Sequence, residues 1–252
     1  LFVGIMLAKL GSKTSTVANF FSQFNDIMME MTMVVMSVAP IGVFCLIART
    51  FANIGFSAFV PMLKYMGAVI LALAIQCFGV YQILLFLFTR LNPMRFIKKF
   101  FPVMSFAFTT ATSNATIPLS IDTLHKKIGV SKKISSFTIP LGATVNMDAV
   151  SILMSFMIMF FANACGINVS VSMMVIVLLA NVLLSVGTPG VPGGAIASFA
   201  ALATMAGLPA GVMGVYISIN TLCDMGATCV NVIGDLACCV ALKGRLKIDE
   251  KK

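Results

Sequence analysis

Three aspartates, Asp148, Asp224 and Asp235, lie in apolar stretches that hold no lysine or arginine. An uncompensated carboxylate at the centre of a bilayer costs at least about 2.5–3.5 kcal/mol on insertion scales. Three of them require cations from solution, and oxygen-only surroundings select hard ions, with sodium or protons the natural candidates. Spacing supports a shared site. Asp224, Thr228, Asn231 and Asp235 follow at intervals of 4, 3 and 4 residues, which puts them on one face of a helix. Gly142, Asn146 and Asp148 fall within the short run Gly142-Ala143-Thr144-Val145-Asn146-Met147-Asp148. Its glycine and β-branched residues favour local unwinding with carbonyls turned inward. Freed carbonyls plus carboxylates are what a sodium site needs. Asp26 and Glu30, spaced i, i+4, read instead as a solvated or interfacial face.

Two polar interruptions accompany these acids: Thr109-Thr110-Ala111-Thr112-Ser113-Asn114-Ala115-Thr116 and Ser185-Val186-Gly187-Thr188-Pro189-Gly190-Val191-Pro192-Gly193-Gly194. Each divides an apolar run into pieces too short to span a bilayer comfortably. Irregular backbone at membrane depth survives only where protein buries it or where it lines a watery cavity. Paired broken segments are the best sequence pointer to a transporter's binding site.

The elements that position these residues are transmembrane helices. The 252-residue chain is 60% hydrophobic and 10% charged, with a mean hydropathy of +1.05, whereas a soluble domain averages about 25% charged residues. Several stretches supply the roughly 20 apolar residues of a span. No basic n-region or A-x-A-like cleavage site is visible, and the chain opens at Leu1 partway into an apolar run, which points to an N-terminal truncation. The formal charge of +9 is not a nucleic-acid footprint. It resides in short clusters: Lys9 and Lys13; Arg90, Arg95, Lys98 and Lys99; Lys126, Lys127, Lys132 and Lys133; and the tail from Lys243 to Lys252, with only Arg49 and Lys64 elsewhere. The seven cysteines form no C-x-x-C and read as small hydrophobes within helices; Cys238-Cys239 is a weak palmitoylation candidate. The lone His125 sits beside Lys126 and Lys127 and reads as a surface residue.

Basic loops mark the cytoplasmic face. Residues about 17–53 then run outward and about 57–89 return. The stretch from Phe100 to about Leu124 is basic at both flanks, so it enters and leaves by one face and turns at Thr109–Thr116: a re-entrant hairpin inferred from charge parity. Residues about 134–164 go out, Val169–Val186 and Ala195–Leu208 form a second hairpin from the opposite face, and about 211–242 return inside. The expected fold is an all-α polytopic membrane protein: an inverted-repeat transporter core with two re-entrant helical hairpins. Residues 1–91 form scaffold-side helices, and 92–252 form a transport core. Within the core, the first hairpin takes about 100–125, a helix about 133–165, the second hairpin about 169–208 and the last helix about 211–243, before a basic cytoplasmic tail. This places the chain in the cytoplasmic (inner) membrane with its C-terminus inside.

At these residues the chain resembles the dicarboxylate/amino acid:cation symporters, the glutamate transporter family. Thr112-Ser113-Asn114-Ala115-Thr116 resembles the family's serine-rich first hairpin tip, and Pro140–Asp148 its N-M-D-G helix. Gly187–Gly194 resembles the second tip, and Asp224–Asp235 the last-helix motif. Four motifs in order over residues about 20–245 make the resemblance specific, while the family's first three helices and most of its fourth are not represented. The resemblance implies two or three sodium ions. One is held by carbonyls of Gly142, Asn146 and Asn231 with the Asp235 carboxylate, a second lies near Thr144, Ser185, Val186 and Thr188, and a third uses the Asn146 and Asp148 side chains. It implies that the substrate α-carboxylate meets the Ser113 backbone and the Asn231 amide, and its amino group Asp224 with Thr228 adjacent. Val150, Val191 and Ala227 complete the substrate-binding set. A homotrimer is likewise implied.

The departures indicate the substrate. Acidic-substrate members carry an arginine where this chain has Ala227, or at the first tip where it has Ala111. Val150 replaces the threonine after N-M-D-G, Ala149 its glycine, and Asn220 an acid common in the family. A substrate side-chain carboxylate would be buried against alanine and valine without a partner, which is prohibitive. The expected function is sodium-driven symport of a neutral amino acid by alternating access. The alternatives are proton coupling, dicarboxylate symport on the same fold, or a non-transporting truncated remnant. An enzyme is not expected: no nucleophile–base pair is evident, and Gly187–Gly194 lacks a Walker lysine.

Overall fold

The computed structural model describes residues 2–54 and 59–243, and the tail residues Arg245, Lys247, Lys251 and Lys252 and the Arg49 side chain lie outside that description. Every described element is helical. The chain divides into two compact units between Cys45 and Leu46. The first holds α1 (Phe2–Leu10), a 3-10 turn (Gly11–Thr14) and most of α2 (Ser15–Ile54). Gly11 turns the chain there at φ +56°, and Thr14 Oγ1 donates to the Gly11 carbonyl at 3.1 Å. Asp26 and Glu30 are exposed on α2.

In the second unit, α3 (Phe59–Ala74) continues into α4 (Tyr81–Thr89) through a π-helical turn, Ile75–Val80. Arg90 ends α4 in the left-handed conformation (φ 58°). Asn92 then starts α5 (Pro93–Thr110): its side chain accepts from the backbone N–H groups of Met94 at 3.0 Å and Arg95 at 3.3 Å. Pro93 occupies the first helical position, where no N–H is needed. This cap sets the start of α5 about seven residues ahead of the expected Phe100. Thr112, extended, separates α5 from α6 (Ser113–Thr123) and caps the latter. A second π-turn (Leu124–Ile128) ends at Gly129, φ +72°.

Ser131 caps α7 (Lys132–Val145). The helix breaks at Asn146 and Met147, and α8 (Asp148–Ala164) resumes. Ser170 caps α9 (Val171–Val186), which the Gly/Pro-rich segment separates from α10 (Ala195–Met205). α11 (Val212–Lys243) runs unbroken over 32 residues. It is the axis of the unit, packing against α4, α5, α7 and α8. Phe100 of α5, Leu153, Met154 and Met157 of α8, and Ile233 and Leu236 of α11 are fully buried. Between helices in lipid such contacts act through van der Waals fit rather than exclusion of water.

Val60–Thr89, Lys132–Ala164 and Leu222–Lys243 are each long and apolar enough to cross a membrane, while Val171–Val186 and Ala195–Met205 are shorter apolar helices. The chain is an all-α, multi-pass membrane protein. Its compact second unit begins before residue 91, because α3 packs on α8 and α4 on α11.

Candidate functional site

Two antiparallel helical pairs, α5/α6 and α9/α10, bring their tips together. Ala111 closes α5 with φ 48°, a left-handed conformation a non-glycine residue holds only where its surroundings enforce it. Across the gap, the Gly190 carbonyl accepts from the Asn114 N–H at 3.2 Å and from Thr112 Oγ1 at 2.7 Å. Gly190 is indispensable sterically: a Cβ there would stand 2.7 Å from the Ala143 carbonyl oxygen. Beneath the tips lies a chamber of about 10 Å³, scarcely one water. Ala111, Ser113, Val150, Val191, Asp224, Thr228 and Asn231 are among its lining residues. Asp224 Oδ2 accepts from the Gly193 N–H at 3.3 Å, so the second tip closes on that carboxylate. Ala227 is fully buried on the same helix and does not line the chamber.

Asp235 forms a second centre, one helical turn beyond Asn231 on α11. Its Oδ1 accepts from Asn146 Nδ2 at 3.1 Å, and the same amide donates to the Asn231 carbonyl at 3.2 Å. Gly142 faces this carboxyl group so closely that a Cβ would overlap it. Gly142, Asn146, Asn231 and Asp235, read from sequence as one group, are therefore together. The break between α7 and α8 is held from outside: Asn231 Oδ1 accepts from the Ala149 N–H at 2.9 Å, capping α8 from another helix. Asn231 Nδ2 donates to Met147 Sδ at 3.3 Å.

Asp148 sits on the far side of the break. Its Oδ2 accepts from Gln76 Nε2, and its Oδ1 is buried without a hydrogen-bond partner. Gln76, Asn146, Asp148, Ser185 and Val186 share a cavity of about 520 Å³. Thr188 lines the chamber instead, with its hydroxyl donating to the Leu184 carbonyl at 3.0 Å. Thr144 is exposed, bonds the Pro140 carbonyl at 2.8 Å, and lines neither cavity. Among the described residues no lysine or arginine pairs with Asp148, Asp224 or Asp235.

Sequence reading missed Gln76 and Tyr81. Gln76 holds Asp148, and the buried Tyr81 hydroxyl lies against Gly234, where a Cβ would overlap it. Both sit on the π-turn or at its end, and their five-residue separation is the period that such a turn brings onto one face. A lone amide in the apolar run from Ala68 to Cys77 was the available signal.

The family described as the sodium:dicarboxylate symporter family matches residues 1–244. The mouse neutral amino acid transporter B(0) is 32% identical over 234 residues, covering 92% of this chain and 42% of the relative. A Caenorhabditis elegans excitatory amino acid transporter is 31% identical over 235 residues, 92% of this chain and 47% of its own length. Mouse excitatory amino acid transporter 3 is 30% identical over 236 residues, 93% and 45% respectively. The chain thus spans less than half the length of these curated relatives. With three acids in apolar helices that no described lysine or arginine pairs, two meeting helical tips and this match along nearly all of its length, the chain belongs to the sodium:dicarboxylate symporter family.

Proposed function

We propose that this polypeptide forms the transport core of a sodium-coupled symporter for a neutral amino acid, working by alternating access in the cytoplasmic membrane with its C-terminus inside. The observation that carries the substrate reading is the chamber wall. Asp224 offers a carboxylate for an amino group, while Ala111, Val150, Val191 and Ala195 offer nothing for a second carboxylate. A buried, unpartnered side-chain charge there would be strongly unfavourable. The Ser113 backbone and the Asn231 amide receive the α-carboxylate, with Thr228 beside the amino group. Both a neutral and an excitatory amino acid transporter are among the relatives, so the neutral reading rests on the lining residues rather than on the family.

Sodium at the Asp235 centre takes carbonyls of Gly142, Asn146 and Asn231. A second ion lies near Thr144, Ser185, Val186 and Thr188, and a third uses Asn146 and Asp148. Ion binding neutralises the acids and favours the closed second tip, and by linkage the substrate tightens sodium by the same factor. The two helical pairs act as re-entrant hairpins entering from opposite faces. The packing of α3 and α4 on α8 and α11 supports a transport core that includes them, with scaffold function left to earlier residues and to the partners of a homotrimer.

The test is sodium-gradient-driven uptake of labelled amino acids into proteoliposomes, aspartate included. Uptake of a neutral member without competition by aspartate is expected. Strong competition by aspartate or glutamate would overturn the chamber-wall argument, and uptake driven by a pH gradient without sodium would favour protons.

A further inference from the structure

The two arms of the α9/α10 hairpin are held in different ways. α10 is fixed by apolar packing: it buries Ala195, Phe199, Leu202 and Ala203, and Phe199 stacks on Tyr216 of α11 with ring centroids 3.9 Å apart. α9 buries only Val177, Asn181 and Ser185, one narrow stripe at i, i+4 and i+8. Its remaining faces expose Val175, Leu178, Leu179, Val182 and Leu183. Beside that stripe lies a groove of about 280 Å³ bordered by Ser155 and Phe156 of α8 and Val177 and Leu178 of α9.

Asn181, fully buried at the centre of the stripe, makes the polar connection. Its Nδ2 donates to the Ser151 carbonyl at 2.7 Å and to Ser155 Oγ at 2.8 Å, and Ser155 Oγ in turn donates to the Ser151 carbonyl at 2.9 Å. Its Oδ1 has no partner. A buried amide that leaves its acceptor unused is unfavourable, so its two donors are what the position gains. Ser151 directly follows Val150 of the chamber wall, and Ser185 lies one turn beyond Asn181. The bonds therefore fix the register of the tip against the chamber.

We propose that Asn181 is a latch: a positioning residue that docks the first arm of the second hairpin on α8, so that opening begins by release of α9 while α10 stays packed. This rests on the alternating-access reading, in which the second tip opens, and does not depend on which ion or amino acid is carried.

Hydrogen–deuterium exchange on the protein in nanodiscs tests it, with peptides from α9 and α10 read separately. Interhelical hydrogen bonds in membranes are each worth about a 2.7-fold change in an equilibrium, so losing two predicts about sevenfold faster exchange. Asn181→Leu is expected to raise exchange in 177–186 by about that factor and to leave 195–205 unchanged. Ser155→Ala, which removes one of the two bonds, is expected to give about a threefold rise, and it carries the test if the leucine variant does not fold. Unchanged exchange in α9, or an equal rise in both arms as from a merely structural role, would overturn the proposal.

Discussion

Replacing Gly142 with alanine separates the fold from the ion centre. In α7 the change favours the helix by up to about 1 kcal/mol, since glycine is the poorer helix former. The new methyl, however, overlaps the Asp235 carboxyl group and forces that side chain away. Moving it breaks the 3.1 Å bond from Asn146 Nδ2, a hydrogen bond to a charged acceptor worth about 1.5–3 kcal/mol. It also withdraws the carboxylate from the Gly142 and Asn231 carbonyls. At 1.4 kcal/mol per decade, sodium affinity should fall by about one to two orders of magnitude. The assay is sodium-dependent thermal stabilisation of the purified protein, which needs no transport. Stabilisation by a ligand follows its concentration over its dissociation constant, so a tenfold weaker ion loses about 1.4 kcal/mol at saturating concentrations. Gly67→Ala, whose Cβ meets nothing within 4 Å, is the control. The reasoning is refuted if Gly142→Ala responds to sodium as the wild type and the control do.

Asp224→Asn should abolish amino-acid binding while leaving membrane insertion and the sodium response of the Asp235 centre in place; near-normal substrate affinity would remove the amino-group assignment. Gly190→Ala should hold the tips apart, because the group it strikes is the Ala143 backbone carbonyl and not a movable side chain. Faster labelling of a cysteine introduced at Thr112 is the readout, and unchanged labelling counts against a closed tip. Gln76→Leu removes the hydrogen bond to Asp148 Oδ2 and leaves neither carboxylate oxygen with a described partner. It should destabilise the sodium-free protein by about 1–3 kcal/mol, a loss that saturating sodium should shrink if Asp148 binds an ion. Equal destabilisation with and without sodium would sever Asp148 from ion binding.

Legibility in the sequence followed the strength of local signals. The intervals from Asp224 to Asp235 needed only the period of a helix, and α11 presents Asp224, Thr228 and Asn231 to the chamber and Asp235 beyond it. The paired basic flanks of residues about 100–124 led to a turn-back, and α5 and α6 do double back at Ala111–Thr112. The start of α5 was misplaced because hydropathy was weighed above Asn92-Pro93, a capping signal that was present. The grouping of Thr144 with Ser185 came from motif position alone; the Thr144 hydroxyl bonds its own helix, as threonines in helices do, so only its backbone is free for the ion proposed there. Gln76 and Asn181 were passed over because a single amide in an apolar run has no period; its meaning appears only when the facing helix is known. The packing of α3 and α4 on α8 and α11 is decided by contacts distant in sequence, which no local signal carries.

The cap that Asn231 places on Ala149 has a consequence for the order of synthesis. The break between α7 and α8 is maintained by a side chain about eighty residues downstream. Until α11 leaves the ribosome, nothing described in the chain satisfies the start of α8 or receives the Asn146 amide. The segment 132–164 is therefore expected to enter the membrane as a longer, more regular helix, its centre unwinding once α11 arrives. Nascent chains halted before Asn231 should show that continuous helix in backbone chemical shifts, and chains extended past Asp235 should not. The Asp235 centre would in this sense be completed only once α11 is in place, and a chain released before it would carry Asp148 with no such centre beside it.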